Sequence, residues 1–222
     1  MKFAILVDGG FLSKALGSVL RPKRAPDVED ILLACNKVRE HPKLSGHELL
    51  RILFYDAPPA TGQITNPLSR EQVNLGRTDQ YSTRTALLDK IENSPDFALR
   101  LGELAKRGWE VRPRSLKELP KRPEPALVAD DLQPSFQQKG VDLRIGLDIA
   151  RLSLRRIVDT IVVVAGDSDF IPAFKFARRE GLRVYLEDVG SRFVKQELRA
   201  HADLVLRTCL TDEREDGTST EE

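Results

Sequence analysis

Apolar runs of strand length alternate along this chain with segments whose apolar residues recur at helical spacing. KFAILV, residues 2–7, is an almost unbroken apolar run, the pattern of a strand covered on both faces of a parallel sheet, and Asp8 ends it. Gly9 and Gly10 permit a tight turn, after which Phe11, Leu12, Ala15, Leu16 and Val19 recur at helical spacing. RPKRAP is a basic, proline-rich break, followed by a second helical stripe of Val28, Ile31, Leu32, Cys35 and Val38. RILFY, residues 51–55, is another buried strand, closed by Asp56 and the Pro58-Pro59 pair, and the stretch to residue 79 reads as loop.

Further on, Leu87, Leu88 and Ile91, then Phe97, Leu99, Leu101 and Leu104, predict two helices. Ser94 would cap the second, Pro95 begin it and Gly108 stop it. WEVRP reads as a short strand, and residues 115–138, polar and rich in proline, as an exposed loop. VDLRIGLDIARLSLRRI is a helix leading into TIVVVAG, the most strand-like segment of the chain. Residues 170–179 follow as a helix ended by Gly181, then the strand LRVYLE, a helix over 192–201 and a last apolar run at ADLVL. This alternation predicts an α/β fold, a central, mainly parallel twisted sheet flanked by helices on both faces, because parallel neighbours need helical crossovers.

Length and composition narrow the class. A chain of 222 residues suits one α/β domain, taken here as residues 1–210 with 115–138 as an insertion, followed by an acidic tail over 211–222 expected to be disordered. At 41% apolar and 31% charged the chain is ordinary globular protein. The apolar run before Asp8 is too short for a leader or a membrane span, and Cys35 and Cys209 show no CxxC spacing, so a cytoplasmic protein without a membrane partner is expected. His41, His47 and His201 lack zinc-site spacing, and no GxSxG or phosphate-binding loop is present. Net charge is only +1, so any attraction for nucleic acid must come from local charge. Lys139, which precedes Gly140, and Arg144 are the candidate phosphate contacts. Trp109 and Tyr185 read as packing residues.

The chemistry lies in the aspartates. In open parallel sheets ligands bind at the carboxyl ends of strands. Asp8 ends the first strand, and Asp167 and Asp169 sit in the turn after VVVAG, where Gly166 would let the chain bend. Converging carboxylates repel one another, and oxygen-seeking Mg²⁺ or Mn²⁺ relieves that repulsion. Asp8 and Asp169 could instead serve only as helix caps. Ser168, between two of these aspartates, could contact a phosphate or simply shape the turn.

V-D-G-G near the start, K-G-V-D-L-x-x-x-L-D in the middle and V-V-V-A-G-D-S-D-F later together resemble the NYN-type domains of the PIN-like nuclease superfamily. YDAP and LRLGELAKRGWEV are similar to its LabA-like branch. The resemblance covers most of residues 1–206 and implies a PIN-like fold, Mg²⁺- or Mn²⁺-dependent cleavage of nucleic acid, usually RNA, and metal-binding, catalytic roles for Asp8, Asp142, Asp167 and Asp169. Asp148 matches a further family aspartate. At ~100° per residue it stands about 120° around the helix from Asp142, so it is assigned beside the metal, with a salt bridge to Arg144, Arg151 or Arg155 as the alternative. Many relatives carry Asn where this chain has Phe11. Two other readings stay open, a catalytically weak nucleic-acid-binding or regulatory module on the same fold and a Toprim-like or phosphatase-like metal hydrolase. Homo-oligomerisation is compatible with each.

Overall fold

The computed structural model describes residues 1–20, 22–124 and 126–208; the acidic tail lies outside the described residues, as does Cys209. The chain runs β1 (Lys2–Asp8), α1 (Gly9–Val19), α2 (Val28–Arg39), β2 (Glu48–Asp56), β3 (Gln63–Thr65), β4 (Gln72–Asn74), α3 (Asp79–Glu92), β5 (Phe97–Leu101), β6 (Glu103–Val111), α4 (Pro113–Glu118), β7 (Leu132–Lys139), α5 (Val141–Leu154), β8 (Thr160–Val164), α6 (Ile171–Arg179), β9 (Arg183–Glu187), α7 (Gln196–Ala200) and β10 (Leu204–Leu206). Six strands form one sheet in the order β10-β9-β8-β1-β2-β5, every neighbouring pair parallel.

Because successive strand residues face opposite sides, each apolar run supplies two cores at once. Phe3, Ile5, Val7, Ile52, Phe54, Val162 and Val164 pack under α1, α2 and α3. Ala4, Leu6, Leu53, Tyr55, Ile161 and Val163 pack under α5, α6 and α7. Tyr55, Phe54 and Phe174 are fully buried, and burying such a side chain stabilises the fold by about 1.5–3 kcal/mol. Sequence order advances from β1 towards β2 on one side and resumes at β8 on the other. The β1/β8 junction is therefore a switch point, where crossover helices depart to opposite faces and leave a crevice beyond the strand ends.

Three segments depart from the sequence reading. Residues 97–104 are strands, not a helix. Phe97, Leu99 and Leu101 alternate with period two, and β5 pairs with β2 from Ile52–Phe97 to Asp56–Leu101. Ser94 closes α3 instead, its hydroxyl donating to the Lys90 carbonyl at 2.7 Å. Gly108 does not end a helix either; its φ of +101° lies at a register shift inside β6. Second, residues 115–138 contain α4 and most of β7, which pairs antiparallel with β6 along its length and makes a two-stranded arm. Third, of residues 192–201 only Gln196–Ala200 is helical. The stretch after Pro59 also carries a small hairpin of β3 with β4.

Candidate active site

Asp8 is the last residue of β1, one position beyond the Val7–Val164 pair that joins β1 to β8. It is also the N-cap of α1, its Oδ1 accepting from the Phe11 amide at 3.0 Å. The cap holds the carboxylate in place without consuming all its lone pairs. Asp167 and Asp169 follow β8 by way of Ala165-Gly166, and Asp167 rather than Asp169 caps the short 3-10 turn there. Asp142 lies in the first turn of α5, brought to the same end of the sheet by the return of the β6–β7 arm.

Asp8 and Asp142 each feel the charge of neighbouring carboxylates. Burial, then the charges of Asp142 and Asp56, push the Asp8 carboxyl up to about 6 against the opposing Phe11 hydrogen bond. Partial burial and the charges of Asp167 and Asp169 push Asp142 up as well. Asp167 is held below the ordinary carboxylate range, chiefly by the hydrogen bond from Lys195. The Lys195 Nζ donates to Asp167 Oδ1 at 2.9 Å and to the Ser168 hydroxyl at 3.1 Å. Lys195 is thus the cation at the cluster, and Ser168 completes its seat.

Among the described residues no three carboxylates already close to the spacing of a metal cage. The donor set nevertheless fits a hard divalent cation. It is all oxygen, its two more buried members, Asp8 and Asp142, are driven towards protonation first by burial and then by neighbouring carboxylates, and a bound cation would favour their charged forms.

Other residues fall differently. Asp148 turns to the sheet, where it accepts from the Tyr55 hydroxyl at 2.8 Å and pairs with Arg100 at 3.7 Å rather than with any of the three arginines expected from helix spacing. Lys139 and Arg144 line a separate hollow of about 370 Å³ with Leu143 and Leu147. A wide groove of about 1030 Å³ lined by Lys43, Lys175, Arg178, Arg179 and Arg183 sits at the opposite end of the sheet, since Arg183 opens β9 and Arg178 and Arg179 end α6. Gly166 serves close approach: a Cβ there would stand 2.6 Å from the Phe11 ring.

Two residues given no role at the site by the sequence flank the cluster. Lys195 carries no motif signal, and only the tertiary fold brings it to Asp167. Asp56, the last residue of β2, was visible as the end of RILFYD. It is fully buried, ion-paired with Arg84 and hydrogen-bonded by the Ala57 amide at 2.7 Å and by Gln138 at 3.1 Å. A Cβ on Gly9 would stand 2.7 Å from Asp56 Oδ2, which is why glycine follows Asp8.

No helix among the described residues is long and apolar enough to cross a membrane. Comparison with solved structures finds a protein of unknown function from Vibrio parahaemolyticus RIMD 2210633, at a TM-score of 0.51 and 17% identity, covering 93% of this chain and 91% of that one, a likeness of fold. No curated protein matches the chain. The model of the NYN domain matches residues 2–209, nearly the whole length. With its parallel sheet and its carboxylates gathered at the β1/β8 switch point, the chain belongs to the NYN domain family, within the PIN-like nuclease superfamily.

Proposed function

We propose that this protein is a metal-dependent ribonuclease in which Asp8, Asp142, Asp167 and Asp169 hold Mg²⁺ or Mn²⁺ against a phosphodiester of RNA. The observation that carries the reading is that carboxylates from β1, α5 and the turn after β8 lie near enough for their charges to reach Asp8 and Asp142. Asp8 responds to Asp142, and Asp142 to Asp167 and Asp169, at the strand ends where an open α/β sheet binds its ligand. Family membership supports nuclease chemistry on a nucleic-acid substrate.

A divalent ion bound there supplies Lewis acidity towards the phosphoryl oxygens and the attacking water. The protein's own groups set the geometry. The Phe11 amide fixes the Asp8 carboxylate, and the buried residues of β1 and β8 beneath it give the site a rigid floor. Lys195 is placed to give up Asp167 and donate to a phosphate oxygen in its stead, which keeps the local charge balanced as substrate arrives. Phe11 covers Gly166 and walls the crevice with apolar surface, limiting water beside the reacting group.

A second reading, a catalytically weak nucleic-acid-binding or regulatory module, draws on that same Phe11, which stands where many relatives offer a polar contact. Titrating Mg²⁺ and Mn²⁺ into protein with fluorescent single-stranded RNA, in parallel with a generic phosphomonoester, separates the readings. The ribonuclease account expects metal-dependent RNA cleavage that Asp167→Asn abolishes. RNA binding without cleavage in either metal supports the module, and turnover of the phosphomonoester alone supports a phosphatase-like hydrolase.

A further inference from the structure

Beside the carboxylates, beyond the end of β2, a cavity of about 200 Å³ opens between the start of α3 and the inner face of the β6–β7 arm. Leu75, Tyr81, Leu104 and Phe136 line it. All four are half-buried, and none belongs to either core that flanks the sheet. Burial against neither core leaves their apolar surface committed to the cavity.

The polar wall is shared with the active site. Arg84 and Gln138 line the cavity, and both bind Asp56. The Gln138 Oε1 lies 3.4 Å from where a Gly10 Cβ would stand, and Asp8 Oδ1 lies 3.3 Å from the same point. One carboxamide therefore separates the cavity from the first carboxylate of the cluster. An occupant would have apolar and aromatic surface along its faces, a carboxamide at its edge, and a backbone leading past Gln138 to Asp8.

We propose that this cavity holds one nucleobase of the strand whose phosphodiester lies at the aspartates, and so sets base preference at a single position; the proposal rests on the ribonuclease reading. The chemistry matches a base. Tyr81 and Phe136 come from different elements, α3 and β7, and bring to the lining aromatic rings of the kind on which unpaired bases stack. Gln138 offers hydrogen bonding to a base edge. The space admits a single heterocycle, and a base inside a duplex cannot enter without leaving its stack, so the nucleotide read here is unpaired.

The test measures binding with chelator present, so that cleavage plays no part. Single-stranded RNA oligomers carrying one abasic nucleotide at successive positions are titrated into wild-type protein, Phe136→Ala and Leu75→Trp. The first variant strips a wall of the cavity and the second fills it, so a folding failure of either leaves the other to decide. The expected result is one position at which base removal weakens wild-type binding about tenfold or more. In both variants that position loses its distinction. A wild-type profile flat across all positions, or a distinct position unchanged in a folded variant, overturns the base pocket while leaving the ribonuclease reading intact. Failure of wild type to bind any RNA overturns both.

Discussion

The Lys195 Nζ donates to the Asp167 Oδ1 at 2.9 Å, so a lysine seated in the acidic cluster occupies one of the carboxylates that the turn after β8 presents to solvent. Both side chains are about half exposed, which makes the pair weak and exchangeable. On the ribonuclease reading, a divalent ion would displace Lys195 from Asp167, and a phosphate would replace Asp167 as the partner of Lys195.

Lys195→Met is therefore expected to have opposite effects on two quantities. Mn²⁺ affinity, read by calorimetric titration of chelator-stripped protein, should rise by no more than about fivefold, because the competing pair is worth little. RNA affinity measured without metal should fall, and its dependence on salt should become shallower by about one charge. Weaker Mn²⁺ binding in this variant would mean that the lysine organises the site rather than competes for it.

Asp8 predicts a pH dependence. Its folded value of about 6 lies above the ordinary 3.8, so the fold favours the protonated form. Its contribution to stability is fully present below pH 3.8 and is lost as pH rises through 6, an effect on the order of 3 kcal/mol. Thermal melts in chelator should accordingly show wild type losing stability relative to Asp8→Asn between these two values. Above pH 6, Mn²⁺ should restore it. Parallel melting curves for the two proteins across that range would remove the claim that Asp8 is under electrostatic strain.

Asp148 differs from Asp142 although both lie on α5. Its carboxylate accepts from the hydroxyl of the fully buried Tyr55 and pairs with Arg100, so it ties the helix to β2 and β5. Tyr55→Phe should cost about 1.5–3 kcal/mol of stability, since the bond goes to a charged group. Mn²⁺ affinity should stay within about twofold of wild type, well below the effect expected of a lost ligand. A large drop in metal affinity with unchanged stability would return Asp148 to the metal.

Much of this was legible in the residues, for definable reasons. The interiors of β1, β8 and β9 and the second half of β2 are buried on both faces, and their apolar runs cannot be solvent-facing loops. Asp8, Asp167 and Asp169 could be read as a set because strand ends in a parallel sheet share one edge. The stretch over 97–104 was harder: its leucines suit a helix as well as an edge strand, and only pairing with β2 decides between them. β7 escaped notice because its proline and glutamines give no apolar alternation, its partner being a two-stranded arm outside the cores. Lys195 and Gln138 were invisible for another reason. Each meets the aspartates only after the chain has crossed the sheet, and no local pattern encodes such a contact.

The central claim is that four aspartates from β1, α5 and the turn after β8 act as one metal-dependent cleavage site. The most direct measurement is the single-turnover rate of cleavage of a fluorescent single-stranded RNA by wild type and by Asp142→Asn, in saturating Mn²⁺ and in chelator, with melting curves to confirm that both proteins fold. Cleavage by wild type in Mn²⁺ alone, reduced about 100-fold or more in the folded variant, is the predicted result. Equal rates for the two proteins, or undiminished wild-type cleavage in chelator, would contradict it.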